Sequence, residues 1–310
     1  MPCHSLRYLA TSIESISTQT LPKKNFEVVL VADRIDIVGA QAILDNSKLN
    51  YRILESTEPG IVPALNLGIS NITSKYIARM DDDDVMLPNR LKNQLNFMDS
   101  HPDYVLLGGQ IELIDESSKH IGYSKYKKVV RCKTESILKS NPLAHPTAMF
   151  VRERVLEIGG YRSFLPEDWD LWIRLCELGN VGNLDEVLIK YRVHSSQLSR
   201  SKTYQLASAR SYLIASYFSR RLGLPDQPAR NQSAESWMVE TSEFLRRESK
   251  AFAKLEKEFK EDILFSDNLK SFKQNPTLRR FLSVLFRFPH LLARVSLRRF
   301  LRDLFSKPLN

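Results

Sequence analysis

The first half of the chain alternates short apolar runs with segments in which apolar residues recur at helical spacing. Phe26 to Val31 is a β-branched run typical of a buried strand, and Tyr8 to Thr18 and Ile37 to Leu44 flank it with helical spacing. A further short strand is predicted at Tyr51 to Leu54. This alternation predicts an α/β fold with a mostly parallel sheet covered by helices.

Four consecutive aspartates, Asp81 to Asp84, follow an apolar stretch, Tyr76 to Met80. The stretch predicts a strand, so the carboxylates stand at its carboxyl end, where ligands usually bind in α/β sheets. Carboxylates this close repel one another unless a cation compensates them. Oxygen ligands suit Mg²⁺ or Mn²⁺, with the remaining positions left to water and phosphate. The run therefore predicts a metal site for a diphosphate-carrying substrate, and a solvated acidic turn is the alternative.

A second acidic pair, Glu167 and Asp168, stands at the start of a predicted helix that is followed by Gly179 as a C-cap. Apolar residues recur at helical spacing at Leu171, Trp172, Leu175 and Leu178. The helix dipole favours ionised carboxylates in a first turn, and simple capping of the helix is the alternative role for the pair.

These acidic groups and Tyr191-Arg192-Val193-His194 resemble, in order and spacing, the inverting family 2 glycosyltransferases of the GT-A fold. Arg79-Met80-Asp81-Asp82-Asp83-Asp84 resembles the D-x-D metal motif of that family. Glu167-Asp168-Trp169-Asp170 resembles its E-D-[YW]-[DE] motif, and Tyr191-Arg192-x-His194 is similar to the histidine segment that closes the metal site in many members. The resemblance covers roughly residues 2 to 200. It implies a nucleotide-diphosphate sugar donor, Mn²⁺ or Mg²⁺ as cofactor, and hexosyl transfer with inversion.

The resemblance also implies roles for single residues. Asp81 and Asp83 are expected to flank the metal, with Asp83 the direct ligand and Asp81 nearer the donor ribose. His194 is expected to supply a nitrogen ligand, and a surface histidine is its alternative role. Asp168 is the expected base for the acceptor hydroxyl, because a base must be ionised before it acts. Glu167 is placed among the substrate-binding residues.

Donor recognition is expected to involve residues of the first half. Asp33 matches one of the paired aspartates that contact the nucleotide base in the family, while Ala32 replaces the other. Asn66 matches the asparagine of an A-R-N element whose arginine is Leu65 here, so Arg79 is expected to pair with phosphate instead.

Two further segments bear on the site. His145-Pro146-Thr147 resembles a segment of polysaccharide-type members, and His145 is expected to contact donor or acceptor, with a buried structural role as the alternative. Pro2-Cys3-His4-Ser5 resembles the turn that follows the first strand of the family, with almost nothing before it. The first strand is therefore expected to be missing, which implies either a start upstream of Met1 or a degenerate copy.

The domain organisation is predicted as a glycosyltransferase domain over residues 1–200 and a helical basic extension over residues 201–310. The formal net charge is +9, and much of the excess comes from the C-terminal third. In 277–305, leucines and aromatic residues alternate with arginines, which predicts an interfacial helix pair on anionic lipid, and packing on the catalytic domain is the alternative. No nucleic-acid motif accompanies the charge.

Composition and processing signals favour a cytoplasmic protein at the inner face of the plasma membrane. Cys3, Cys132 and Cys176 are far apart, which predicts neither a disulfide framework nor a zinc site. Neither a membrane-spanning run nor a signal peptide is expected from the sequence. The acceptor is expected to be a glycan or lipid-linked glycan. A nucleotidyltransferase, or a non-catalytic binding or scaffold protein, is the alternative function.

Overall fold

The computed structural model describes residues 1–126, 129–130, 137–163, 166–195, 203–227, 241, 242 and 245. The segment 277–305, for which a membrane-binding helix pair is predicted, lies outside the described residues. The helices are α1 (Leu9–Ser17), α2 (Ile37–Ser47), α3 (Ile61–Ser70), α4 (Arg90–Ser100), α5 (Arg152–Glu157), α6 (Glu167–Cys176) and α7 (Thr203–Arg221). The strands are β1 (Pro2–Cys3), β2 (Val28–Ala32), β3 (Tyr51–Glu55), β4 (Tyr76–Ala78), β5 (Val85–Met86), β6 (Tyr104–Ile114), β7 (His120–Ser124), β8 (Val129–Val130), β9 (Met149–Val151) and β10 (Asn180–Arg192).

The first sheet is parallel and has the order β1-β2-β3. All five residues of β2 are buried, as its β-branched sequence predicts for a strand covered on both faces. The strand expected to be missing is present as the two residues of β1. Pro2 and Cys3 pair with β2, and the Val31 amide donates to the Met1 carbonyl oxygen at 2.8 Å.

The second sheet corrects the prediction of a mostly parallel arrangement. Its order is β4-β9-β6-β10-β5, with β7 paired to β6 and β8 paired to β10. Only the long β6–β10 pair is parallel in this sheet, and the other described pairs are antiparallel. Parallel pairing follows from βαβ connections, which the first half of the sequence displays. The antiparallel strands come from the middle of the chain, where that alternation ends.

Helix α1 shows how the sequence pattern builds the core. Its spaced apolar residues Leu9, Ile13 and Ile16 are buried in the main hydrophobic cluster, as the spacing predicts. Helix α6 is nearly all buried and ends at Cys176, with Glu177 as its cap. Gly179 therefore does not cap this helix. A Cβ there would lie 2.5 Å from Val105, so the glycine allows close packing against β6.

Residues Met1–Thr241 form one compact unit, which includes α7. Arg220 of α7 pairs with Glu177 at 2.7 Å, and Arg162 pairs with Asp226, just beyond α7, at 2.9 Å. Across the described residues, no helix is long and apolar enough to span a bilayer. Cys176 is disulfide-bonded, which corrects the expectation drawn from the cysteine spacing.

Candidate active site

The aspartate run forms the loop between β4 and β5, and its four side chains have different surroundings. Asp82 is buried and turns toward the N-terminal turn, where its Oδ2 accepts hydrogen bonds from the backbone amides of His4 and Ser5 at 2.9 and 3.0 Å. The hydroxyl of Ser12 on α1 donates to the Asp82 and Asp84 carbonyl oxygens at 3.0 and 2.6 Å. Asp82 therefore fixes the start of the chain against the loop.

The other three carboxylates, of Asp81, Asp83 and Asp84, each place an oxygen within 4.8 Å of one another. Burial, followed by the charges of Asp83 and Asp82, raises the pKa of Asp81 to about 6. Burial and the charges of Asp81 and Asp83 raise the pKa of Asp84 well above its usual range. Among the residues that the structure describes, the buried Oδ2 of Asp84 has no hydrogen-bond partner. An all-oxygen cluster with an unpartnered buried carboxylate oxygen fits a divalent cation.

The end of β10 closes the other side of this cluster. His194 Nε2 lies 2.9 Å from Asp83 Oδ2, although the histidine is not one of the three mutually close groups. The Arg192 amide donates to Asp84 Oδ1 at 2.9 Å, and its Nε donates to the Asp83 carbonyl oxygen at 2.8 Å. In the Tyr-Arg-x-His segment the sequence predicts a role only for the histidine, whereas the structure shows that the buried Arg192 holds the aspartate loop.

Asp168, the second residue of α6, has both carboxylate oxygens occupied. Oδ1 accepts from the Trp169 amide at 2.7 Å, and Oδ2 accepts from the Asn141 side chain at 2.8 Å. Burial nevertheless raises the pKa of Asp168, although these two donors and the charge of Arg79 lower it. Burial therefore opposes the ionised form of Asp168 that the helix start favours. Asn141 was missed, since no local pattern links it to α6.

Glu167 lies beside Asp168 and is almost fully buried, with its side chain 12% exposed. Burial and the neighbouring Asp168 carboxylate raise the pKa of Glu167 to about 7, against the opposing charge of Arg79. Arg79 itself is buried and pairs with Asp81. Its expected contact with phosphate stays a prediction. Arg79 electrostatically links the aspartate cluster to the start of α6.

His145 and Asn66 have protein partners in the structure. His145 Nε2 lies 2.8 Å from the Tyr161 hydroxyl, and Nδ1 lies 3.6 Å from Glu167 Oε1. Both polar atoms of the Asn66 side chain bond the Tyr161 backbone, at 2.9 Å to its carbonyl and 2.8 Å from its amide. Asn66 thus positions a buried turn, and its contact with a donor stays a prediction. His145 is buried and has protein partners, while its contact with donor or acceptor stays a prediction.

Asp33 lies just after β2, as the sequence predicts. Its Oδ2 accepts a hydrogen bond from the Gly60 amide at 2.8 Å, which ties β2 to the start of α3. Its buried Oδ1 has no partner among the described residues. This carboxylate therefore keeps an acceptor for a donor group of a ligand.

Comparison with known proteins gives the family. The family model described as "Glycosyl transferase family 2" matches residues 2–157. The O-antigen biosynthesis glycosyltransferase WbnJ of Escherichia coli is 35% identical over 225 residues, which cover 69% of this chain and 85% of that protein. The chain belongs to glycosyl transferase family 2. This family 2 glycosyltransferase has a fold similar to two solved structures at low sequence identity.

One is S. aureus TarS 1–349 in complex with UDP-GlcNAc, 15% identical, with a TM-score of 0.55 over 79% of each chain. The other is the mannosyltransferase PcManGT from Pyrobaculum calidifontis in complex with GDP-Man and Mn²⁺, 13% identical, with a TM-score of 0.52 over 99% of this chain and 86% of that one. At such identities the likeness supports the GT-A fold alone.

In this glycosyltransferase most of the predicted site residues fall into two groups joined by Arg79, whereas Asp33 and Asn66 bond other parts of the protein. Asp81, Asp83 and His194 come together at the β4–β5 loop, while Glu167 and His145 come together beside Asp168. The structure adds four residues that the sequence patterns do not identify as site residues: Asp84, Asn141, Tyr161 and Arg192.

Proposed function

We propose that the protein transfers a sugar, with inversion at the anomeric carbon, from a nucleotide-diphosphate donor to a hydroxyl of a glycan or lipid-linked glycan. The observation that carries the proposal is the buried Arg79 side chain, whose positive charge acts on both acidic groups. Arg79 pairs with Asp81 of the metal-type cluster, and its charge also lowers the pKa values of Glu167 and Asp168. This shared arginine supports a common site for a metal-binding group and a carboxylate base.

Asp81, Asp83 and Asp84 are the residues that would hold a divalent cation, with His194 beside them. When bound, Mn²⁺ or Mg²⁺ supplies positive charge against the negative charge that develops on the leaving diphosphate. The complex of PcManGT with GDP-Man and Mn²⁺ supports this assignment in the same fold. Within this chain, the assignment of a cation site is supported by the buried oxygen of Asp84, which has no partner among the described residues.

Asp168 is the proposed base. The acceptor oxygen forms a bond to the anomeric carbon while the bond from that carbon to the diphosphate oxygen breaks, and the acceptor proton passes to Asp168. The carboxylate is held by Asn141 and the Trp169 amide, so it does not have to be oriented during the reaction. Attack on the face opposite the leaving group gives inversion.

The donor is proposed to contact Asp33 through its unpartnered oxygen, and Arg79 is proposed to contact the diphosphate when Asp81 binds the cation. Complexes of UDP-GlcNAc and GDP-Man in similar folds support a nucleotide-sugar donor. The name of the similar protein WbnJ supports a role in cell-surface polysaccharide synthesis. The basic sequence 277–305 motivates the further proposal that the enzyme works at an anionic membrane surface.

The test is turnover of a panel of nucleotide sugars by the full chain with Mn²⁺, with released nucleotide diphosphate as the readout. We expect one donor to be hydrolysed or transferred well above the others, and the activity to disappear with a chelator. Asp168→Asn is the matched variant, since it keeps the side-chain shape and removes the base. Release of sugar 1-phosphate in place of nucleotide diphosphate would indicate nucleotidyl transfer, and binding without turnover would indicate a scaffold; either result would overturn the proposal.

A further inference from the structure

A line of buried polar contacts runs from Tyr161 to the start of α6. The Tyr161 hydroxyl lies 2.8 Å from His145 Nε2, and His145 Nδ1 lies 3.6 Å from Glu167 Oε1. Tyr161 is 3% exposed, and the side chains of His145 and Glu167 are 10% and 12% exposed. The buried Trp172 ring packs edge-on against the imidazole, with ring centroids 5.6 Å apart. The line ends beside Asp168, the proposed base.

The turn that carries Tyr161 is clamped from two helices. From α3, Asn66 bonds both the amide and the carbonyl of Tyr161. From α6, Arg174 donates to the carbonyl oxygens of Ile158 and Gly160, each at 2.8 Å. Gly160 has φ +72°, and a Cβ there would lie 2.6 Å from Asn66 Oδ1, so only glycine permits this approach. The hydrogen bonds from Asn66 and Arg174 hold the backbone of this turn, and the turn places the Tyr161 hydroxyl against His145.

The direction of hydrogen bonding along this line follows from charge. Burial, and then the charge of Arg79, lower the pKa of His145 well below its usual range, so its ring is neutral and carries one proton. If the Tyr161 hydroxyl donates to Nε2, the ring proton sits on Nδ1 and points to the Glu167 carboxylate. If the tyrosine accepts instead, then above about pH 7, where Glu167 is ionised, Nδ1 presents a lone pair to a carboxylate, which repels it.

We propose that Tyr161 is a positioning residue that sets the Nδ1–H tautomer of His145, so that the imidazole orients Glu167 next to Asp168. The proposal rests on the proposed function for its kinetic consequence, while the tautomer is a property of the protein alone. The charged or titratable groups that face Glu167 are Asp168 from α6 and Arg79 and Asp81 from the end of β4, besides His145 and Tyr161.

The kinetic test is Tyr161→Phe, with Tyr76→Phe as its control. The Tyr76 hydroxyl also donates a hydrogen bond, to Asp99 at 2.9 Å. Tyr76 is the first residue of β4, whereas the site residues Arg79 and Asp81 follow the last residue of that strand. Tyr161→Phe should lower kcat by about 10- to 100-fold, as expected for a misplaced active-site group, with the donor KM changed less than about twofold. The acid limb of kcat should move to higher pH, because ionised Glu167 loses an aligned donor. Tyr76→Phe should match the wild type.

A double-variant cycle separates positioning from packing. In His145→Asn, the amide NH₂ stands where Nδ1–H stood and needs no tautomer control, so adding Tyr161→Phe to it should have little further effect on kcat. Asn66→Ala should reproduce Tyr161→Phe, because it releases the same turn. Equal losses in both backgrounds, or an effect on donor KM alone, would overturn the proposal.

The second measurement needs no activity. The ¹⁵N shifts of the His145 ring at pH 8, assigned by comparing the six-histidine wild type with His145→Gln, report which nitrogen carries the proton. We expect Nδ1–H in the wild type and a larger share of Nε2–H in Tyr161→Phe. An Nε2–H ring in the wild type would refute the inference. Absence of sugar transfer by the wild type would instead overturn the proposed function, and the ring shifts would still decide the tautomer.

Discussion

The two acidic groups of the site are organised in opposite ways. In the β4–β5 loop, Asp81, Asp83 and Asp84 are crowded together, and one buried oxygen of Asp84 is unpartnered. At the start of α6, both oxygens of Asp168 accept hydrogen bonds from the protein. The first group has charge that the protein does not fully compensate, and the second has an orientation that the protein fully determines. One is suited to binding a cation and the other to taking a proton.

The largest expected effect separates these two roles. Asp168→Asn should lower transfer by at least about 100-fold, the usual contribution of a general base, while donor affinity stays within about twofold of wild type. Turnover and calorimetric donor binding measure the two quantities. Glu153→Gln is the control, because Glu153 is an exposed acid in the first turn of α5. If Asp168→Asn keeps more than about a tenth of wild-type turnover, the base is another residue.

The next effect divides the aspartate run itself. Asp83→Ala should weaken binding of Mn²⁺ and of the donor by about tenfold or more, because it removes one of few charged ligands. Asp82→Ala should leave Mn²⁺ affinity nearly unchanged but lower the free energy of unfolding by about 1–3 kcal/mol, since two backbone amides lose their buried acceptor. Calorimetry with Mn²⁺ and denaturant unfolding measure each. A larger loss of Mn²⁺ affinity in Asp82→Ala than in Asp83→Ala would contradict this division.

A smaller effect concerns stability and pH without added metal. Glu167 has its pKa raised from 4.5 to about 7, so the folded state holds this proton more tightly than the unfolded chain. The free energy of unfolding should therefore fall as pH rises from about 4.5 to about 7, by on the order of 3 kcal/mol for this group. Asp81 and Asp84 contribute with the same sign.

Two changes divide that pH dependence between the two groups. Glu167→Gln should remove the part of the pH dependence that comes from Glu167 at the start of α6. Mn²⁺ should remove the part that comes from the aspartate cluster, because a bound cation favours the ionised carboxylates. Unfolding by denaturant at a series of pH values measures both. A pH slope unaffected by either change would show that burial at these carboxylates does not control stability.

The same contrast shows what could be predicted from the sequence. The strand before Asp81 and the helix after Glu167 have local apolar patterns, so both acidic groups were placed on their elements correctly. The antiparallel pairs β4–β9 and β6–β9 of the second sheet have no such local signal, because they join segments far apart in the chain. The partners Asn141 and Tyr161 were missed for the same reason: their roles arise from tertiary contacts.

The burial of Asp168 is the other property that pattern alone misjudged. A helix start predicts an ionised carboxylate only where water reaches it. Trp172, one of the apolar residues at helical spacing, is fully buried on the same helix. Because this helix packs in the interior, its acidic first turn is buried as well. The sequence predicts the favourable position of Asp168 at a helix start. The desolvation that raises its pKa depends on tertiary packing, which the local sequence does not show.

The smallest expected effect tests whether the orientation of Asp168 is separable from its charge. Asn141→Ala removes a hydrogen bond that lowers the pKa of Asp168, so that pKa should rise. A hydrogen bond from a neutral amide to an ionised carboxylate is worth about 1.5–3 kcal/mol, which corresponds to about one to two pH units on the acid limb of kcat. At pH 8 the loss of kcat should be only a few-fold, because the Trp169 amide still holds the other oxygen. Asn141→Asp should be worse than Asn141→Ala, since a second carboxylate would replace a donor with a repelling charge. The pH profiles of the two variants measure this order, and an acid limb that moves to lower pH in Asn141→Ala would show that Asn141 does not stabilise the ionised base.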